Sequence, residues 1–365
     1  PPGPPRCAPR RSLGTSAPSR RRAGGAAAGG AAGAVVLAKE RSASHGPQYA
    51  RVDGDIETLW QRPDCKPRGI FFMAHGCHHQ APDFWSEVGP DGRVFEGCAQ
   101  SYLGRCLGLP EEARVRDAAL ARCYVAVAVS GGRGFQSCWF GADVGRVARA
   151  LAHVRGAEGL APDAPVLATG ASSGGAFLGM LVQAPGGLEH ARCIVPQVSP
   201  LGIFGKWRHG IPVLFVHMPR DGYTEDQVVD DKMALEQGLG GGARVAELRV
   251  KPQRVTAQLL EPCLNSTLAA AVAEALRANS SIVGRDGLLV RDARARDWVE
   301  TVRAAIAGES NDSLAPDESC IAERMNVAWA WHEFTGQYAE EMLDFCEERG
   351  VFARNASRAA AAHAP

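Results

Sequence analysis

At 365 residues, with 45% hydrophobic and 22% charged residues, the chain has an ordinary globular composition and can bury one large core or two small ones. Its 40 basic residues balance 40 acidic ones, so no net field attracts nucleic acid or an anionic membrane, and neither is an expected partner. The longest apolar runs, such as CYVAVAV at 123 to 129, are too short for a bilayer, so no transmembrane helix is expected.

Residues 1 to 44 form a separate class. They carry Arg6, Arg10, Arg11, Arg20, Arg21, Arg22 and Lys39, no acid before Glu40, and otherwise mostly Pro, Gly, Ala and Ser. Such a composition builds no packed core; it fits a disordered tail, a signal peptide or an organellar transit peptide.

From about residue 45, short apolar runs alternate with helical patterns. The expected strands are 69 to 75 (GIFFMAH), 123 to 130, 164 to 170, 191 to 199, 211 to 218 and 243 to 250. Their interiors are apolar on both faces, which suits a mostly parallel sheet covered by helices on both sides. The helices expected between them are 110 to 122, 142 to 154, 174 to 184 and 224 to 238. This is the rhythm of one α/β domain over 45 to 351. After the last strand, 252 to 320 read as a helical insertion or cap, and 334 to 350 as a closing helix. An Ala-rich tail occupies 352 to 365.

The stretch GASSGG, 170 to 175, lies where an apolar strand passes into an apolar helix. A serine hydroxyl needs a base to take its proton, an acid to orient that base, and donors for the oxyanion. A G-x-S-x-G turn supplies the nucleophile, because its strained backbone admits only small neighbours two residues away. Here those neighbours are Gly170 and Gly174 around Ser172; Ser173, in an A-x-S-x-G register, is the alternative. The helix opening at Ser173 would direct free N–H groups at developing negative charge.

Upstream, FFMAHGCHHQ ends a strand in His75-Gly76, where the N–H of Cys77 or a neighbour could supply a second oxyanion donor. Downstream, VLFVHMPRD brings Asp221 to a strand's C-terminal end, with Glu225 and Asp226 as competing acids in the next helix. WAWHEFT then sets His332 before the closing helix, and no histidine lies between Val250 and His332. His75 and His217 are the alternative bases, although His217 is expected to hydrogen-bond locally. The H-x-x-H-H spacing of His75, His78 and His79 matches no recognised zinc geometry, so no metal is expected. Trp85, Phe135, Trp139 and Phe140 are candidates for an apolar pocket.

Four of the five asparagines, Asn265, Asn279, Asn311 and Asn355, begin an Asn-x-Ser/Thr sequon, an excess that favours the secretory pathway over a plastid or other organelle. Apart from Cys7 in the tail, ten cysteines remain; they could pair in an oxidising compartment, or stay as buried small hydrophobes.

The strings FFMAHGCHHQAPDFW, GASSGG, FVHMPRD and WHEFT resemble the alpha/beta-hydrolase superfamily over about 65 to 350, and in particular a branch of it found in plants and algae. The resemblance implies Ser172 as nucleophile, Asp221 as acid, His332 as base, and Cys77 and Ser173 as oxyanion donors, with no cofactor. Simple members carry the histidine soon after the last strand, so this assignment requires the insertion to return the chain to the site. The expected activity is hydrolysis of an ester or related acyl bond of a small molecule. An acyltransferase would use the same residues, and a non-catalytic binding protein could share the fold.

Overall fold

The computed structural model describes residues 46–89, 92–132, 137–202, 210–238 and 244–352. Its strands are β1 (Gln48–Val52), β2 (Ile56–Gln61), β3 (Gly69–Ala74), β4 (Tyr124–Val129), β5 (Val166–Ala171), β6 (Ala191–Gln197), β7 (Val213–His217) and β8 (Val245–Arg249). They form one sheet in the order β1-β2-β4-β3-β5-β6-β7-β8. β2 runs antiparallel to β1 and β4, and every other pairing is parallel.

α1 (Glu96–Gln100) and α2 (Pro110–Ala121) precede β4, α3 (Asp143–Ala157) follows it, α4 (Ser173–Gln183) follows β5, and α5 (Gly222–Gly238) follows β7. After β8 come α6 (Ala257–Leu260), α7 (Ser266–Ala278), α8 (Val299–Ile306), α9 (Cys320–Trp329) and α10 (Ala339–Cys346). Alternate residues of the central strands serve different layers. Ile70, Phe72, Val127 and Ala168 pack with Leu151 of α3, Phe177 of α4 and Val228 of α5. Phe71, Met73, Ala126 and Leu167 pack with Val115 of α2 and Leu343 of α10. Apolar residues on both faces of each strand are therefore what a sheet covered on both sides requires. The helical region after β8 buries its own cluster, including Leu260, Val272, Trp298 and Met325.

The structure differs from the sequence expectations in three places. β1 and β2 were not expected, because β2 buries polar residues: Glu57, fully buried, accepts hydrogen bonds from Ser130 Oγ and from Tyr102 N at 2.5 Å. The closing helix starts later than residue 334 and ends in a π-helical turn at Glu347–Phe352. Tertiary partners take the backbone donors at its start: Thr335 N donates to Gln197 Oε1 (3.0 Å) and Gly336 N to Glu111 Oε2 (2.6 Å). His217 lies fully buried with its Nε2 3.4 Å from Glu247 Oε2, and neither ring nitrogen has a hydrogen-bond partner. The expectations for residues 1 to 44 and the C-terminal tail, with Asn355 and Phe135, fall outside the described residues.

Among the described residues ten cysteines form five disulfides: Cys65–Cys123, Cys77–Cys138, Cys98–Cys106, Cys193–Cys346 and Cys263–Cys320. Cys193–Cys346 joins β6 to the end of α10 across a separation of 153 residues, a long loop to close in the unfolded chain. Replacing both cysteines by alanine is expected to lower unfolding free energy by about 2–5 kcal/mol, measured by the denaturant midpoint under oxidising conditions.

Candidate active site

Ser172 sits between β5 and α4 with φ 53° and ψ −119°, a conformation that costs a non-glycine residue on the order of 1–3 kcal/mol. The turn survives because its surroundings are closely fitted. A side chain at Gly174 would begin 2.4 Å from the His75 carbonyl oxygen, and one at Gly170 would begin 2.9 Å from Ala74 Cβ. Ser172 N donates to the Gln197 carbonyl at 3.0 Å, which ties the turn to β6.

Asp221 follows β7 and is buried, its N–H donating to Met218 O at 2.9 Å and its Oδ1 accepting from Thr224 N at 3.4 Å. Its Oδ2 lies 2.5 Å from His332 Nδ1. His332 Nε2 in turn lies 2.8 Å from Ser172 Oγ, across a separation of 160 residues. With the carboxylate ionised, Nδ1–H donates to Asp221 and Nε2 accepts the serine proton, so the network selects one tautomer.

The loop carrying His332 lies between α9 and α10, and its backbone is fixed from outside. Arg294, in the insertion, donates to the carbonyls of Trp331 and His332 and to Glu333 Oε2, each at 2.9 Å. Its guanidinium carbon sits 4.9 Å from the Trp331 ring centroid. Two residues on from Glu333, the buried Glu111 carboxylate accepts from Thr335 Oγ1 at 3.1 Å and pairs with Arg324 of α9. The competing acids stay apart from this network: Glu225 pairs with Arg249 at 3.4 Å, and among the described residues no contact places Asp226 there.

The three histidines of the upstream loop diverge. His75 donates from Nδ1 to Gly76 O (2.7 Å) and accepts at Nε2 from Gly131 N (2.9 Å), so it spans two loops as a neutral ring. Its carbonyl takes the Trp139 indole N–H at 2.9 Å. His78 is exposed, and His79 Nδ1 pairs with Asp83 Oδ2 at 3.0 Å. The Cys77–Cys138 disulfide holds this loop to the segment before Trp139. Cys77 lines the same cavity as Ser172, Ser173 follows Ser172 as the first residue of α4, and the Ser173 hydroxyl accepts from Trp139 N at 3.4 Å.

A cavity of about 400 Å³ opens onto Ser172 and His332. The aromatic candidates among the described residues, Trp85, Trp139 and Phe140, do not line it. Trp85 is buried and donates to Gln61 Oε1, Trp139 stacks on Phe177 with centroids 4.6 Å apart, and Phe140 is exposed. Trp298 and Phe334 line the cavity instead, with Ala293, Arg294, Arg296 and Asn326 from the region after β8. No recognition motif marks these residues singly: Ala293, Arg294, Arg296 and Trp298 lie within 252 to 320, a stretch expected from the sequence to shape the pocket, whereas Asn326 lies in α9 and Phe334 in the loop that carries His332.

A sheet in this strand order, with a serine on the turn after its central strand β5 and acid and histidine on later loops, is the alpha/beta-hydrolase fold. No family model and no curated protein matches the chain. Solved structures do. The chain is similar to a dienelactone hydrolase from Anabaena variabilis at 15% identity over 57% of this chain and 88% of that one, with a TM-score of 0.36. It is similar to a Bacillus cereus carboxylesterase at 11% identity, covering 55% and 86%, TM-score 0.37. A Pyrobaculum calidifontis esterase matches at 15% identity, covering 56% and 75%, TM-score 0.38.

Burial pushes the His75 pKa down to about 4, against the hydrogen bond to Gly76. The folded protein therefore holds this ring neutral, while the unfolded chain takes up a proton below about pH 6.5. The stability it contributes is present above that pH and is lost as pH falls toward 4. Between pH 7 and 4, the wild type is expected to lose about 3 kcal/mol more unfolding free energy than His75→Asn, measured by denaturant midpoints across that range.

Proposed function

We propose that the protein is a serine hydrolase that cleaves an ester or related acyl bond of a small molecule. The observation that carries this reading is the unbroken hydrogen-bond chain from Ser172 Oγ through both nitrogens of His332 to Asp221. Ser172 Oγ attacks the substrate carbonyl as His332 Nε2 takes its proton, and Asp221 stabilises the imidazolium. The oxyanion is held by the backbone N–H groups of Cys77 and Ser173, the latter at the positive end of α4. Collapse passes the proton from Nε2 to the leaving alkoxide and leaves an acyl group on Ser172. Water, deprotonated by the same nitrogen, then releases the acid and restores the serine. A cavity of about 400 Å³ suits a small-molecule ligand.

A fluorophosphonate probe tests for an activated serine without a known substrate. Ser172→Ala is expected to abolish labelling and to lower hydrolysis of short p-nitrophenyl esters by several orders of magnitude, while Ser173→Ala keeps most of both. Undiminished hydrolysis by the Ser172 variant would remove the mechanism.

We infer also that the chain matures in the secretory pathway, where five disulfides can form and persist. Among the described residues no helix is long and apolar enough to cross a membrane. Asn265, Asn279 and Asn311 are exposed. Asn279 Oδ1 accepts from Ser281 Oγ at 2.7 Å, the hydroxyl of its own sequon. Expression in a eukaryotic secretory host is expected to give glycans on at least two of Asn265, Asn279, Asn311 and Asn355, seen as a mobility shift on endoglycosidase treatment. A chain found only unglycosylated in the cytosol or a plastid refutes the assignment.

A further inference from the structure

The cavity beside Ser172 carries a charge that acyl transfer through Ser172, His332 and Asp221 does not use. His79 N donates to Gly76 O at 3.4 Å, and His78 takes a left-handed φ of 70°, so the chain doubles back above the strand end. The His79 ring and Ser172 then both lie close to Gly76. A side chain there would begin 3.8 Å from His79 Cδ2 and 4.0 Å from Ser172 Cβ. His79 lines the cavity.

Its charge is fixed from behind. Nδ1–H donates to Asp83 Oδ2, which also accepts from Gln80 N at 2.9 Å, whereas Asp83 Oδ1 is buried without a hydrogen bond. Burial opposes protonation of the ring, but the Asp83 hydrogen bond and the charges of Asp83, Glu112 and Glu333 outweigh it and push the pKa up to about 10. The ring is an imidazolium at neutral pH, and its second donor, Nε2–H, has no acceptor among the described residues.

We propose that His79 is a specificity-determining residue whose Nε2–H binds a carboxylate of the substrate, so that the preferred substrates are esters bearing an anionic group. The proposal rests on the serine hydrolase reading for the cleavage itself. Two features favour a bound anion. His79 Nδ1 is taken by Asp83, so Nε2–H is the ring donor left for a ligand in the cavity that His79 lines. A permanent cation with its counter-ion on the far side also suits a permanent anion rather than a transient one. Arg296 lines the same cavity without an ion pair among the described residues and adds to the positive field, while the charge of Arg294 is taken up by Glu333 and two carbonyls. Of the acids lining the cavity, Glu333 is held by Arg294 and Asn326, which leaves Asp317 as the opposing charge.

The test compares two methyl esters of equal length, monomethyl glutarate and methyl valerate, by methanol release from the full-length protein. The wild type is expected to prefer the glutarate ester, and His79→Gln to lower the ratio of kcat/KM values about tenfold to a hundredfold, the range for a hydrogen bond between charged partners. His79→Arg, which keeps a cation beside Asp83, restores part of the ratio. Asp83→Asn lowers it in the same direction. An unchanged ratio, whether both rates fall together or neither does, overturns the proposal, as does a wild type that prefers valerate. Fluorophosphonate labelling and calorimetric binding of monomethyl glutarate to Ser172→Ala separate the two readings. Labelling with no His79-dependent ratio or binding sinks this proposal alone. Binding lost in the Ser172→Ala/His79→Gln double variant, with no labelling of the wild type, upholds the anion site and sinks the hydrolase.

Discussion

One imidazole, that of His332, lies between the hydroxyl of Ser172 and the carboxylate of Asp221, and it does so from a loop with no regular structure of its own. Its backbone φ of 43° is left-handed, which an ordinary L-residue adopts only under constraint. The constraint comes from charged side chains. Arg294 donates to two consecutive carbonyls on one side, and Glu111 accepts from Thr335 and Gly336 on the other. Hydrogen bonds with one ionised partner are roughly twice as strong as neutral ones, so a few of them fix a loop that hydrophobic packing alone would leave loose. Arg220, next to Asp221 in sequence, closes the remaining side: it donates to Trp329 O at 2.9 Å and lies 3.7 Å over the Trp329 ring. The acid loop and the end of α9 are thereby joined independently of the hydrogen bond between Asp221 and His332.

Glu111 shows what such positioning costs. Its carboxylate is buried, and a buried charge is tolerable only when its hydrogen-bonding capacity is filled. Arg324, Thr335 and Gly336 fill it, and the Arg324 guanidinium also donates to Leu259 O at 2.8 Å. Four segments meet on that ion pair: α2, α6, α9 and the loop behind His332. Removal of either charge would strand the other in the interior, so breaking the pair at one partner is strongly destabilising.

The sheet and the serine turn were legible in the sequence because their physics is local. Runs apolar on both faces define covered parallel strands, and Gly170 and Gly174 are required by backbone approaches one turn away from Ser172. The first hairpin was harder, since Glu57 and Thr58 point inward and mimic a polar segment. The Asp53-Gly54 turn between β1 and β2, both residues at positive φ, was the available signal. The charged clamps were not legible at all. Nothing near Arg294 or Glu111 in sequence distinguishes them from surface residues, because their partners lie far away in the chain and depend on how the insertion folds. His79 was obscured for a different reason: its neighbours His75 and His78 draw attention to metals, whereas its partner is a carboxylate four residues on.

The insertion therefore does two jobs through one short turn. Ala293–Ala295 presents Ala293 and Arg294 to the cavity, with Arg296 and Trp298 immediately after it, and the same Arg294 holds the carbonyls of Trp331 and His332. Trp298 Nε1 donates back to Ala293 O at 2.7 Å, which ties the wall to the turn that carries the clamp. A ligand pressing on this wall acts on the backbone that aims the imidazole, through contacts no longer than a hydrogen bond. Under the proposed serine hydrolase mechanism, small displacements of His332 carry large rate penalties, so changes in the insertion should not divide cleanly into those that alter binding and those that alter turnover. This coupling offers a physical reason for routing the chain through the insertion before it returns to His332: the element that shapes the cavity is also the element that completes the site.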